Sequence, residues 1–368
     1  MNKINSKPIF TISIFGGSGS GKTVYFASLY KELKDYSNYN FKIDSKFENI
    51  TKLDNYWSTI SDINSGWPVG TRKMEDFEFS CYVKVEDKEY ETCKFRYVDY
   101  SGGIFYDDNH DNIDLIERLQ ETDIAFILLD SYKIAKFINN TNTIESEVKI
   151  WMRELNTIFN LIRTTRKKNI PVHFIVTKWD YLQDFNSKKF NNLENLKDEI
   201  KKMYSEINPI KKFIESRNEK NIRLIPVSAV GQDFIKYEQE SDGRIITTKL
   251  SGGKLKPCNV VVPIAYALID TVEFTNKIYE EEVQKNWNIV RLIIMLKRYF
   301  IALVEAKFES SWRIIIIQVV INTFINKFPE TNEKFNNDRK YKEALTTNYK
   351  IFKDIIERFE GANGTIFR

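Results

Sequence analysis

The chain has 368 residues, enough for one large domain or two with an ample hydrophobic core. Its 42% hydrophobic and 29% charged content is ordinary for a soluble protein. A net charge of +4, from 55 basic and 51 acidic residues, is too balanced to mark a nucleic-acid or anionic-surface binder.

Met1-Asn2-Lys3 passes directly into an apolar run, leaving no room for a signal peptide, so a cytoplasmic location is expected. Cys81, Cys93 and Cys258 form no C-x-x-C pair and are expected as reduced thiols, with neither a disulfide frame nor a zinc site. Of the two histidines, His110 and His173, the second lies in a strand-like run and reads as a core or surface residue rather than a ligand.

Ile9 to Phe15 is an apolar run of strand length, and Val24 to Leu33 carries helix formers without Gly or Pro. Between them, Gly16-Gly17-Ser18-Gly19-Ser20-Gly21-Lys22-Thr23 fits G-x-x-x-x-G-K-[ST] at every fixed position. Glycines let successive backbone N–H groups turn toward one point, and the helix start adds its positive dipole end there. Such a nest holds polyphosphate. Lys22 is placed to reach the outer phosphates, and the Thr23 hydroxyl to ligate Mg²⁺.

Ile50, Leu53, Trp57 and Ile60 put one apolar stripe on a helix that ends near Ser65-Gly66-Trp67-Pro68. Phe77 to Val85 and Cys93 to Val98, separated by a polar turn, predict a hairpin. Asp99 closes its second strand three residues before Gly102, which suits a carboxylate in the Mg²⁺ shell and a glycine N–H facing the terminal phosphate. Ile124 to Asp130 is nearly uninterrupted and apolar, as in a strand buried on both faces.

A helix with Val148, Trp151, Leu155, Ile158, Phe159 and Ile162 on one face follows, then the strand Pro171 to Val176 with Thr177-Lys178-Trp179-Asp180 at its end. A further helix carries Leu193, Leu196, Ile200, Met203 and Ile207, and the strand Ile222 to Val227 ends in Ser228-Ala229. The alternation predicts an α/β fold with a doubly wound, mostly parallel sheet. Every candidate stretch falls at a strand's carboxyl end, where such sheets bind ligands.

The ordered set Gly16 to Thr23, Thr71, Asp99 to Gly102, Thr177 to Asp180 and Ser228-Ala229 resembles the five motifs of translation-factor-class and Ras-like GTPases, over residues 9 to 231. The resemblance implies a P-loop G domain that binds GTP or GDP with Mg²⁺. It implies that Lys22 and Thr23 bind phosphate and metal, that Thr71 closes over metal and γ-phosphate, and that Gly102 senses that phosphate. It further implies that Asp180 pairs with the guanine N1 and N2 hydrogens, that Lys178 covers the base, and that the Ala229 N–H meets O6. Independently, a carboxylate only accepts and fits guanine's two adjacent donors, which adenine lacks on that edge.

The sequence departs from these families at Gly103, where many carry the glutamine that orients the attacking water, so slow intrinsic hydrolysis is expected. Arg72, Asp107, Asp108 and His110 are candidate substitutes, and a partner protein is another. The Trp67-Pro68-Val69-Gly70-Thr71 approach to the hairpin is similar to bacterial double-GTPase-type G domains of signalling or conflict systems.

Tyr237 to Thr248 reads as a hairpin with an Asp242-Gly243 turn, and Ile264 to Val272 as a helix closing a G domain of residues 1–273. Residues 274–368 read as a C-terminal helical region. There, Arg291, Arg298 and Glu305 form a narrow polar stripe, as do Gln318, Asn322 and Asn326. The uncharged piece Ile314 to Asn326 is shorter than the roughly 20 residues of a transmembrane helix. The tail can pack on the G domain, meet a protein partner or touch a membrane surface. The expected function is a GTP-hydrolysing switch, with a nucleotide-loaded interaction module and an ATPase as alternatives.

Overall fold

A computed structural model describes residues 9–17, 19–35, 41–69, 75–99, 120–139, 146–163, 170–189, 198, 202, 206, 208–215, 222–239, 245–267 and 332–363. Strand β1 (Ile9–Phe15) leads into the glycine loop and helix α1 (Lys22–Asp35) leaves it. Strand β2 (Phe41–Ser45) and helix α2 (Phe47–Ser61) precede the long hairpin of β3 (Glu75–Val85) and β4 (Lys88–Asp99). Then come β5 (Ile124–Asp130), α3 (Ser131–Asn139), α4 (Ser146–Arg163), β6 (Val172–Thr177) and α5 (Trp179–Lys189). After α6 (Asn208–Glu215) and β7 (Ile222–Pro226), a small separate hairpin pairs β8 (Ile235–Gln239) with β9 (Ile245–Lys249), and α7 (Asn332–Asn363) lies near the chain's end.

The main sheet has the order β2-β3-β4-β1-β5-β6-β7. Strands β4, β1, β5, β6 and β7 run parallel, and β3 runs antiparallel to both its neighbours. This is the doubly wound, mostly parallel sheet that the alternation of elements predicts. The sheet gains an edge strand, β2, beyond those the sequence predicts, and β4 begins at Lys88 rather than Cys93.

Strand β5 explains why the sheet is covered on both faces. All its residues are buried, with Phe126 and Leu128 turned to one core and Ala125, Ile127 and Leu129 to the other. The first core gathers Phe26 and Leu29 of α1, Phe77 and Phe79 of β3, and Phe352 and Phe359 of α7. Phe26 stacks on Tyr97 at a centroid distance of 3.5 Å. The second core takes Trp151, Leu155 and Phe159 of α4 with Phe174 and Phe213, each side chain stabilising the fold by about 1.5–3 kcal/mol. His173 is fully buried and stacks on Phe126 at 5.3 Å, a core role as expected.

Register aligns the strands' ends. Ile14 faces Asp99 across β1 and β4, and Asp130 faces Thr177 across β5 and β6. The residues that follow Phe15, Asp130 and Thr177 therefore emerge at one edge, the carboxyl edge, where β4 also ends at Asp99.

Helix α7 packs into the first core through Ala344, Phe352, Ile355, Ile356 and Phe359, and the Tyr266 hydroxyl donates to Glu360 Oε1 at 2.8 Å. Residues 262–267 are helical, as anticipated for the helix beginning near Ile264. The boundary near Phe274 and the polar-striped segments at 291–305 and 314–326 lie outside the described residues. Of the helix expected from Leu193 to Ile207, Asp198, Lys202 and Glu206 are described and helical. Among the described residues no helix is long and apolar enough to cross a membrane.

Candidate nucleotide-binding site

The glycine loop has the backbone that its sequence demands. Gly19 and Gly21 hold φ of +74° and +85°, in the region that side chains disfavour. The Ser20 N–H donates to the Gly17 carbonyl at 3.2 Å and the Tyr25 N–H to the Gly21 carbonyl at 2.8 Å, closing the turn and starting α1. Lys22, only 7% exposed, folds its ammonium back onto the Gly16 and Gly17 carbonyls at 2.7 and 3.3 Å. A positive-φ glycine turn, an ammonium and a helix start thus lie together, a donor set that fits an anion.

Glu154 of α4 supports the loop from behind. It is 6% exposed and lies 3.8 Å from Lys133. A Cβ added at Gly17 would come within 2.2 Å of its Oε2. Gly17→Ala is expected to cost about 1–3 kcal/mol of stability through this overlap. Thermal unfolding in a double-mutant cycle checks it, because the added cost should vanish in a Glu154→Ala background.

The second half of the site hangs on Thr177 at the end of β6. Its Oγ1 donates to the Ser20 carbonyl at 2.8 Å and also lies 3.2 Å from the Leu129 carbonyl, stapling this strand end to the glycine loop. Lys178 then adopts φ +54°, uncommon for a residue with a side chain, and the chain turns sharply into α5. The Lys178 ammonium pairs with Asp130 Oδ2 at 2.8 Å, while Asp130 Oδ1 accepts the Tyr132 N–H at 2.9 Å.

Asp180, in the first turn of α5, is 2% exposed. Its Oδ1 accepts from the Ser228 hydroxyl at 2.5 Å, and its Oδ2 accepts from the Tyr237 hydroxyl of β8. Ser228 Oγ accepts in turn from the Gly231 N–H at 2.9 Å. A two-bond bridge to Cys258 fixes the Ser228 backbone, and the following Ala229 carbonyl accepts from Ser28 of α1 at 2.6 Å.

These parts surround a cavity of about 540 Å³. Gly19, Ser20, Gly21, Lys22, Thr23, Thr177, Lys178, Asp180 and Ala229 all line it. Gly16, Gly17 and Ser228 stand behind its wall, joined to it by the bonds just described. Asp99 closes β4 beside Ile14. Ser18, Thr71, Arg72 and Gly102 lie outside the described residues, as do Gly103, Asp107, Asp108 and His110.

Asp130 and Tyr237 belong to none of the sequence motifs. Asp130 leaves one signal, a lone charge closing an otherwise uncharged buried strand. The hairpin β8–β9 forms the cavity's far wall with Trp67 and Pro68. Lys249 of β9 anchors it, its three N–H groups shared among the carbonyls of Thr59, Asp62, Ser65 and Gly66 at 2.6 to 3.2 Å, at the carboxyl end of α2 and just beyond it. Its ammonium sits 4.9 Å from the Trp67 ring centroid, and Trp67 Nε1 donates to the Thr247 carbonyl at 2.9 Å.

A family model described as Double-GTPase 1 matches residues 13–264. Among solved structures, the chain resembles the signal recognition particle receptor SRb-GTP/SRX complex from Chaetomium thermophilum, at 14% identity and TM-score 0.35, over 61% of this chain and 93% of that one. It also resembles translation elongation factor SelB from Methanococcus maripaludis in complex with the GTP analogue GppNHp, at 17% identity and TM-score 0.29, over 61% of this chain and 30% of that one. A third likeness is to the Ski7 GTPase-like domain of S. cerevisiae bound to GDP and inorganic phosphate, at 16% identity and TM-score 0.33, over 61% of this chain and 43% of that one. No curated protein matches the chain.

Proposed function

Because the chain belongs to the Double-GTPase 1 family, we propose that it binds GTP and GDP in this cavity and hydrolyses GTP with Mg²⁺ as a molecular switch. The observation that carries the proposal is the Thr177 hydroxyl bonded to the Ser20 carbonyl, which holds a phosphate-type loop and the Asp180 carboxylate on one cavity.

The loop amides and Lys22 would take the phosphates, exchanging the Gly16 and Gly17 carbonyls for phosphate oxygens. Asp180 would accept the guanine N1 and N2 hydrogens, which adenine does not offer. Lys178 would lie along the base and the Ala229 N–H would meet O6. The hydroxyls of Thr23 and Thr71, with the Asp99 carboxylate, would hold Mg²⁺, which supplies charge neutralisation at the phosphate oxygens.

The reaction is in-line attack of water on the γ-phosphorus, breaking its bond to the GDP oxygen. The loop amides and Lys22 stabilise the charge that develops. With Gly103 in place of a water-orienting glutamine, turnover is slow, and Arg72 or a partner protein supplies the missing group. The partner would engage the phosphate-sensing loops or the C-terminal helices, in a cytoplasmic bacterial signalling or defence system.

Single-turnover hydrolysis by the purified full chain tests this reading. Expected is Mg²⁺-dependent phosphate release on the order of 10⁻⁴ to 10⁻² s⁻¹, the intrinsic range of unassisted GTPases. Bound GTP cleaved no faster than GTP in buffer alone would contradict hydrolysis and favour the nucleotide-loaded module.

A further inference from the structure

We propose that Tyr237 is a specificity-determining positioning residue of the base site, its hydroxyl setting the second oxygen of Asp180 for guanine. The inference rests on the guanine reading above and extends it to a residue carried by the β8–β9 hairpin.

A carboxylate turns easily about its terminal bond, whose torsional wells are broad. Ser228 fixes only Oδ1, and the Tyr237 hydroxyl on Oδ2 fixes the other end. Each oxygen can accept two hydrogen bonds, so each keeps one lone pair for a ligand after its hydroxyl is served. Two adjacent donors on one base edge match such a pair of oxygens only while the carboxylate plane is held.

Tyr237 is built to be a fixed donor. Burial first, then the Asp180 and Asp130 carboxylates, push its pKa up, so the phenol keeps its proton. Its ring meets Tyr181 edge to face at 4.8 Å, next in sequence to Asp180. The strand opposite it is pinned by Lys249 on the carbonyls of Thr59, Asp62, Ser65 and Gly66, and by Trp67 on Thr247. The hydroxyl is thus presented by a supported hairpin and not by a loose side chain.

Calorimetric titration of the full chain with GDP and with inosine diphosphate, which lacks only the 2-amino donor, tests the proposal in wild type and Tyr237→Phe. Phe keeps the ring packing on Tyr181 and removes one oxygen. Wild type should prefer GDP. Tyr237→Phe should lose roughly tenfold in GDP affinity, the scale of a hydrogen bond to a charged group. It should lose much less for inosine diphosphate, because a rotated carboxylate can keep a single bond but not a paired one. The preference therefore narrows. A preference that survives intact, or equal losses for both nucleotides, would overturn the role of Tyr237 alone. A wild type with no preference for GDP would overturn the guanine reading, and this inference with it.

Discussion

Asp180→Asn is expected to lower affinity for GTP and GDP by about 3 kcal/mol, on the order of a hundredfold, and to raise affinity for xanthosine nucleotides. The carboxylate offers only acceptors, and guanine presents two donors toward it. An amide in its place sets a donor against one of those donors. Xanthine, with a carbonyl at position 2, accepts from that amide instead. The fold should survive, since the substitution removes a charge that is 2% exposed and the Ser228 and Tyr237 hydroxyls can each donate or accept. Titration of the variant with GDP, XDP and ADP measures the exchange. An unchanged GDP affinity would remove Asp180 from base recognition.

Lys22→Ala should abolish tight binding of either nucleotide. In the free protein its ammonium is already desolvated and bonded to two loop carbonyls, so phosphate exchanges those bonds for charge-assisted ones without a new desolvation cost. Two charge-assisted hydrogen bonds at about 1.5–3 kcal/mol each set the loss at about 10² to 10⁴ in affinity. The loss should be nearly equal for guanine and inosine nucleotides, because the proposed role of Lys22 is toward phosphate and not base. Equilibrium binding of GDP and inosine diphosphate checks both statements. A selective loss for one base would contradict this division of labour between the cavity's two ends.

The parts of this molecule written in the sequence are those where local geometry restricts residue choice. Gly19 and Gly21 need positive φ, so the loop leaves a spelled pattern. Strand β5 is covered on both faces, so it reads as an unbroken apolar run. Helix α4 buries one stripe, so Trp151, Leu155 and Phe159 recur at helical spacing.

What escaped depends on contacts between distant residues. Tyr237 reaches Asp180 across 57 positions, and nothing around Tyr237 distinguishes it from a hairpin residue facing solvent. Lys249 meets Thr59 across 190 positions, and an isolated lysine at a strand end ordinarily reads as solvated. Strand β2 spans only Phe41–Ser45, and its sequence FKIDS is too short for alternation to speak. Helix α3 starts directly at Ser131, and its cap Asp130, whose Oδ1 accepts the Tyr132 N–H, reads in sequence only as the end of the strand. Thr177 stands out in sequence by its place in a motif, but its role as the staple to Ser20 shows only in the fold.

One cavity joins the glycine loop to the carboxylate proposed to read guanine. Equilibrium binding of GTP, GDP and ATP to the purified full chain, with and without Mg²⁺, tests it most directly. Tight binding of GTP and GDP is expected, strengthened by Mg²⁺ for GTP, with ATP unable to compete. Preference for ATP would contradict the role of Asp180, and failure to bind any of the three would contradict the phosphate loop itself.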